Sequence, residues 1–263
     1  MADADALLEP TAPGLPTATP PSAAPEDASV MTLVDHLGEL RTRLFRAILA
    51  VAVTTAFAWI VLTERVQKAL IDLMPTATGE PPTVQVLGPG DAFAIYLRIS
   101  VVLGIILAMP VLLYQIWAFV SPGLTAAERR TVRPWVPLAL VFFALGVGVA
   151  YAILPYALTF LISFTNETLV AGFAAGPYFD FVTTMFLVFG LIMEFPILLV
   201  GLSRVGIVTS QRLTDSRRMV ILGIAIFAAI ATPGGDIVSP LALGGTMYLL
   251  FEGTVFFIRR TGR

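Results

Sequence analysis

The sequence contains no cysteine and only one histidine, His36. The absence of cysteine excludes disulfides, thiolate metal ligands and a cysteine nucleophile, and one imidazole does not build a metal cluster by itself. The nucleotide-binding pattern G-x-x-x-x-G-K-[ST] and the hydrolase patterns H-E-x-x-H and G-x-S-x-G are absent as well. We therefore expect neither an enzyme nor a protein that carries a cofactor or a metal.

Charged residues are also scarce. They make up 13% of the sequence, whereas hydrophobic residues make up 57% and the mean hydropathy is +0.87. Soluble domains carry about 25% charged residues, so this composition is typical of a chain whose main solvent is the lipid bilayer. We expect an all-α integral membrane protein that contacts membrane lipid and has no nucleic-acid partner.

Six apolar stretches are predicted to span the membrane. They cover residues 44–62, 93–120, 135–160, 179–203, 219–231 and 240–258. The first has 19 residues, or about 28 Å of helix, which nearly matches a hydrocarbon core of about 30 Å. The fifth has 13 residues, or about 20 Å. Bilayer thinning, snorkelling of Arg217 and Arg218, or shelter among neighbouring helices could each accommodate this short span.

The basic residues are distributed asymmetrically around these spans. Only Arg65, Lys68 and Arg98 lie on one side, and the other thirteen of the sixteen lie on the opposite side. The thirteen are Arg41, Arg43, Arg46, Arg129, Arg130, Arg133, Arg204, Arg212, Arg217, Arg218, Arg259, Arg260 and Arg263. Because basic residues near span ends are retained in the cytoplasm, this pattern predicts that both termini are cytoplasmic.

The chain divides into a tail, a membrane domain and a short end. Residues 1–30 contain six prolines, five acidic residues and no lysine or arginine, which is typical of a disordered cytoplasmic tail. Residues 31–260 form the predicted membrane domain, and residues 261–263 are its cytoplasmic end. Proline occurs inside the second, third and fourth spans, at positions 110, 155 and 196. Proline kinks helices, so we expect bent spans that form a concave wall.

Two further helical segments flank the first span. Leucines at positions 33, 37, 40 and 44 share one helical stripe, which predicts that a helix begins at Thr32 and continues into the span. On the other side of the membrane, apolar residues recur at helical spacing between residues 66 and 74, before Pro75. This second pattern predicts a short helix lying on the membrane surface.

Two glutamates lie in the basic cytoplasmic segments. Glu39 stands four residues before Arg43, which is the spacing of a local ion pair on a helix. Glu128 follows Thr125 at the spacing of an N-terminal capping box. Taken alone, each glutamate has a sufficient local explanation.

Charged residues also occur within or near the spans. Glu194 lies in the middle of the fourth span, where an ionisable group is costly and either relays protons or remains neutral or water-solvated. Arg98 and Glu252 lie near span ends and are expected to snorkel toward the headgroups. Asp180 opens the fourth span and is interpreted as a charge at a helix N-terminus.

Several motifs carry a family resemblance over residues 31–260. They are H-L-x-E-L-R at residues 36–41, Y-Q-I-W-A-F at 114–119 with E-R-R at 128–130, F-G at 189–190 with E-x-P at 194–196, and T-P at 232–233 with M-Y at 247–248 and F-E at 251–252. In these motifs, their order and their spacing, the chain resembles the TatC family. This family provides the multi-spanning core subunit of the twin-arginine (Tat) protein translocase.

The resemblance implies a function at the bacterial cytoplasmic membrane. Members of the family recognise signal peptides with consecutive arginines at the cytoplasmic face and take part in the export of folded proteins, driven by the proton-motive force. The matching positions imply that the signal-peptide-binding residues are Glu39, Arg41, Leu44, Phe119, Pro122 and Glu128. The implied partners are TatA- and TatB-type single-span subunits, docking near Thr232, and further copies of the chain in a receptor complex.

Two other functions are less consistent with the sequence. A proton-coupled small-molecule transporter that uses Glu194 as carrier fits the composition and the topology equally well. Such a transporter predicts several convergent polar groups at the midplane, yet the sequence offers one central carboxylate and no internal repeat. An intramembrane enzyme is less consistent still, because no nucleophile and base pair is apparent.

Overall fold

The computed structural model describes residues 33–75, 83–125, 129–130, 134–165, 172–204, 206, 208–232 and 236–260. In this part of the chain, the regular structure is helical apart from one isolated bridge. The helices are α1 (Leu33–Val61), α2 (Thr63–Ile71), α3 (Asp91–Val120), α4 (Trp135–Ile162), α5 (Ala175–Ile192), α6 (Phe195–Arg204), α7 (Ser210–Asp215), α8 (Arg217–Ala231) and α9 (Val238–Arg260). Glu128 and Pro233 lie outside the described residues.

Among the described residues, five helical segments are long and apolar enough to cross a membrane. They are His36–Val61, Asp91–Gly123, Trp135–Ile162, Ala175–Ser203 and Val238–Arg260. The chain is therefore an all-helical, multi-pass membrane protein. The predicted fifth span corresponds to α8, whose 15 residues give about 22 Å of helix, less than the hydrocarbon core.

The fourth span is divided into α5 and α6. At the division, the backbone makes a hydrogen bond between residues three apart, as in a 3₁₀ turn: the Glu194 amide donates to the Leu191 carbonyl at 3.1 Å. Pro196 has no amide hydrogen to continue the α-helical ladder, so the helix restarts at Phe195. By contrast, Pro110 and Pro155 each lie inside a single assigned helix.

Helix α5 lies at the centre of the packing and contacts both α3 and α4. Its side chains Phe179, Val182, Met185 and Phe189 are all almost completely buried in the core cluster. Contacts between α4 and α5 are close because Gly146 faces α5: a Cβ atom built there would lie 2.3 Å from the Phe189 carbonyl oxygen. Small residues permit this approach in membrane helices.

Helices α1 and α3 run antiparallel. The Tyr96 hydroxyl of α3 donates to the Trp59 carbonyl of α1 at 2.9 Å, and the Thr54 hydroxyl of α1 donates to the Gly104 carbonyl of α3 at 2.7 Å. Because the pairs run in opposite order along the two helices, residues 39–44 of α1 and the C-terminal end of α3 lie at the same end of the pair.

The short helix predicted at the membrane surface exists as α2, and part of its apolar face packs against protein. Leu70 lies in the last turn of α2 and is 4% exposed, and Met74 lies just beyond the helix and is 3% exposed. The Tyr178 hydroxyl of α5 donates to the Leu70 carbonyl at 2.5 Å. Helical spacing identifies an apolar face and does not say whether lipid or protein covers it, so the position of α2 at the membrane surface stays a prediction.

An isolated parallel bridge joins the segments that precede α3 and α5. The Gln85 amide donates to the Phe173 carbonyl at 2.8 Å, and the Ala175 amide donates to the Gln85 carbonyl at 2.8 Å. Both bonds are between backbone atoms, so they fix the two segments to each other irrespective of the side chains.

Candidate functional site

Glu39 lies on α1, and its side chain is held by Arg43. The Arg43 Nε atom donates to Glu39 Oε1 at 2.8 Å, and Arg43 Nη2 also contacts this oxygen. The two side chains are only 20% and 18% exposed, for Arg43 and Glu39 respectively. The predicted local ion pair is therefore confirmed.

The second carboxylate oxygen of Glu39 is in a different situation. Glu39 Oε2 is buried and has no hydrogen-bond partner among the described residues. A buried acceptor without a partner is destabilising, and a charged donor that reaches it gains a strong hydrogen bond. Glu39 thus combines an oxygen fixed by Arg43 with a buried oxygen that has no partner among the described residues.

The other predicted binding residues fall on α1 and on the end of α3. Arg41 and Leu44 are exposed on α1, Phe119 is half-buried in the last turn of α3, and Pro122 is exposed in the 3₁₀ turn Ser121–Gly123. The antiparallel packing of α1 and α3 puts these positions at one end of the helix pair. The Arg129 guanidinium donates to the Ser121 carbonyl at 2.9 Å, which fixes the start of the following segment.

Glu194 is placed at the division between α5 and α6, as expected from the sequence. It is 8% exposed, and its Oε1 atom has no hydrogen-bond partner in the described part of the chain. Its backbone carbonyl accepts from the amides of Ile197 and Leu198, each at 3.1 Å. The assignment of a proton-relay or a structural role to this carboxyl stays a prediction.

Two ion pairs were not predicted from the sequence. Arg98 of α3 pairs with Asp180 of α5, and Arg217 of α8 pairs with Glu252 of α9 at 2.7 Å. Arg98 and Glu252 were expected to snorkel and Asp180 to act as a helix N-terminal charge, so those interpretations missed the partners. The pairs join residues far apart in sequence, where helical spacing gives no signal.

Thr232 lies at the C-terminal end of α8 and is 8% exposed. Its hydroxyl donates to the Ala228 carbonyl of its own helix at 2.7 Å, a common arrangement for threonine in membrane helices. Within the described residues, no three His, Asp or Glu side chains gather as metal ligands.

Comparison with known proteins identifies the family. The family model described as Sec-independent protein translocase protein (TatC) matches residues 35–245. A protein of that name from Corynebacterium kroppenstedtii is 35% identical over 87% of this chain, and the chain spans 61% of that relative's length. One from Desulforapulum autotrophicum is 36% identical over 87% of this chain and 84% of the relative. These names describe transport proteins.

A solved structure agrees with the sequence comparison. The crystal structure described as Twin Arginine Translocase Receptor- TatC superimposes with a TM-score of 0.75 at 30% identity, covering 87% of this chain and 100% of the other. The fold is therefore shared across nearly the whole described membrane domain. The chain belongs to the TatC family of Sec-independent protein translocase proteins and is a component of the Tat system.

Proposed function

We propose that this chain is the signal-peptide receptor and core subunit of a Tat translocase. It binds twin-arginine signal peptides at the cytoplasmic face of the bacterial cytoplasmic membrane. With single-span partners of the TatA and TatB type, it exports folded proteins at the expense of the proton-motive force. The observation that carries the proposal is the Glu39 carboxylate, which has one oxygen fixed by Arg43 and the other buried without a partner in the described chain.

The chemistry of a carboxylate fits selection of arginine over lysine. A guanidinium presents several N–H donors in a fixed plane, whereas an ammonium is a compact and strongly hydrated point charge. Glu39 Oε2 can accept from one guanidinium while Arg43 keeps the carboxylate in position. Glu128, which lies outside the described residues, supplies the second carboxylate in this proposal. Two carboxylates at a set separation then select two consecutive arginines.

The remaining residues of the site have supporting roles. Arg41, Leu44, Phe119 and Pro122 lie around the same end of the α1 and α3 pair and contact the peptide next to its arginines. Exposed ion pairs contribute only about 0–1 kcal/mol each, so charge alone does not supply the affinity. We assign most of the affinity to burial of the peptide's apolar segment and the specificity to the geometry of the carboxylates.

Assembly with partners involves a different helix from those that bind the peptide. Helix α8, which is short for a span, and Thr232 at its end form the proposed docking region for single-span subunits. A sixth span at α8 places both termini in the cytoplasm. Copies of the chain associate with one another in the receptor complex.

The proposal predicts that the receptor distinguishes arginine from lysine. A photoreactive group placed at Leu40, beside Glu39, is expected to crosslink a peptide with an arginine pair at least tenfold more efficiently than the same peptide with a lysine pair. The ratio of crosslinked products, measured at equal peptide concentration in membranes, checks this. Equal crosslinking of the two peptides would refute the proposed selection.

The proposed orientation can be tested because the chain has no cysteine. A single cysteine at Thr209, between α6 and α7, is expected to react with an impermeant maleimide only in inside-out vesicles. A single cysteine at Asn166, between the third and fourth spans, is expected to react only in right-side-out vesicles or cells. Labelling of both positions from the same side contradicts the orientation.

A further inference from the structure

Helices α4, α6 and α9 border a half-open cavity of about 540 Å³, and Leu249 in its lining is 72% exposed. Its lining is apolar and includes Trp135 of α4, Val200 of α6 and Phe257 of α9. Thr254, the lining residue with a hydroxyl, donates it to the Leu250 carbonyl at 2.6 Å, so that group is already satisfied. The cavity therefore suits an apolar occupant.

The depth of the cavity can be read from its lining. It extends over eight residues of α4, from Trp135 to Phe142, and over nine residues of α9, from Phe257 back to Leu249, or about 10–12 Å. The Trp135 and Phe257 rings pack edge to face at 5.7 Å, so these two ends are adjacent. Because α4 begins and α9 ends here, the cavity runs from the headgroup level into about one third of the hydrocarbon core.

The size of the cavity suits one kind of apolar occupant better than another. A transmembrane helix from a partner or a signal peptide is about 10–12 Å across with its side chains, so it would lie over the open side of the cavity without filling it. A hydrocarbon chain is narrower than a helix and has no polar group that needs a partner.

Charge at the same end favours one class of lipid. Helix α9 continues from Phe257 to Arg259 and Arg260, which form its basic last turn and are both exposed. The Arg259 guanidinium donates to the Thr214 hydroxyl of α7 at 2.5 Å, which holds this charge near the C-terminal end of α9. Basic groups at the end of an apolar crevice between membrane helices are typical of sites for anionic headgroups.

We propose that the cavity binds an anionic phospholipid, with acyl chain between α4, α6 and α9 and phosphate at Arg259 and Arg260. The site is independent of the signal-peptide proposal, since it involves none of the residues assigned to peptide binding. The bound chain fills the space between α6 and its two neighbours, so the lipid acts as a packing element of the second half of the divided span.

Tryptophan fluorescence can test the site because Trp135 lines it. The chain has three tryptophans. In the double variant Trp59→Phe with Trp117→Phe, Trp135 is the only tryptophan that remains. The substitution at residue 117 removes no described hydrogen bond, since Trp117 Nε1 has no partner among the described residues. In phosphatidylcholine vesicles, phosphatidylglycerol with brominated acyl chains is expected to quench Trp135 at a several-fold lower mole fraction than brominated phosphatidylcholine. Equal quenching by the two lipids overturns the proposal.

Two glycines of α9 provide a matched pair of variants. A Cβ atom at Gly253, which lines the cavity, or at Gly245, which does not, would meet no atom within 4 Å. Gly253→Leu fills the cavity and is expected to abolish the selective quenching, whereas Gly245→Leu retains it. Unchanged selectivity in Gly253→Leu, or equal loss in both variants, overturns the assignment to this cavity.

Charge variants test the headgroup without filling the cavity. Arg259→Gln with Arg260→Gln is expected to bring the ratio of phosphatidylglycerol to phosphatidylcholine quenching close to one. Arg65→Gln, at the other side of the membrane, leaves the ratio unchanged. Persistence of the preference without the two arginines refutes the headgroup contact, even where Gly253→Leu does not fold. Relief of quenching by an added twin-arginine peptide would identify the occupant as the peptide and also overturn the proposal.

Discussion

Replacing Glu39 by glutamine is expected to reduce capture of a twin-arginine peptide by about ten- to a hundredfold. The substitution keeps the shape of the side chain and removes its charge. A hydrogen bond to a charged group contributes about 1.5–3 kcal/mol, and each 1.4 kcal/mol is about tenfold in binding. Peptide crosslinking in membranes that contain equal amounts of each variant measures the effect. Glu64→Gln, an exposed glutamate on α2, is the control for loss of one negative charge.

Arg43 separates the receptor role of Glu39 from its local role. If the only role of Glu39 were to pair with Arg43, then Arg43→Gln and Glu39→Gln would have the same effect, because either one breaks the same ion pair. Under the proposal, Arg43→Gln keeps the carboxylate and loses only its positioning, so it retains more of the capture than Glu39→Gln does. Equal losses in the two variants, or full capture by Glu39→Gln, would show that the carboxylate does not bind the peptide.

Replacing Gly146 by alanine is expected to destabilise the protein by about 1–3 kcal/mol, the usual cost of overpacking a core. The added Cβ atom would lie 2.3 Å from the Phe189 carbonyl oxygen and 2.8 Å from the Gly190 Cα atom, both of which are backbone atoms of α5. Since neither can rotate away, α4 and α5 have to separate. Thermal unfolding in mild detergent, followed by circular dichroism, reports the loss of stability.

Gly148 is the matched control on the same helix, because a Cβ atom there would meet no atom within 4 Å. Gly148→Ala is expected to be neutral or to stabilise the protein by up to about 1 kcal/mol, the difference in helix propensity between the two residues. Similar unfolding temperatures for the two variants would mean that Gly146 does not set the separation of α4 and α5.

The apolar helices could be predicted from the sequence because their signal is local. The last five predicted spans begin and end within four residues of helix boundaries in the structure. The continuation of α1 back to Leu33 was likewise predicted from one stripe of leucines. The burial of Leu70 and the two interhelical ion pairs were not predicted, since they depend on which helices become neighbours.

For the candidate site, too, local contacts could be predicted from the sequence and tertiary contacts could not. The pair between Glu39 and Arg43 follows from their spacing, and the structure confirms it. The buried state of Glu39 Oε2 depends on tertiary packing and has no signal in the sequence. The part played by Glu128 stays a prediction, and the family resemblance is what links it to Glu39.

The bridge between Gln85 and Ala174 affects how the segments before α3 and α5 can evolve. Because its hydrogen bonds join backbone atoms, most substitutions of neighbouring side chains leave the bonds in place. Proline is the exception at Gln85 and Ala175, since each of these residues donates its amide hydrogen. The exposed segments can therefore accumulate sequence differences between species, while the distance between the chain segments that lead into α3 and α5 stays the same.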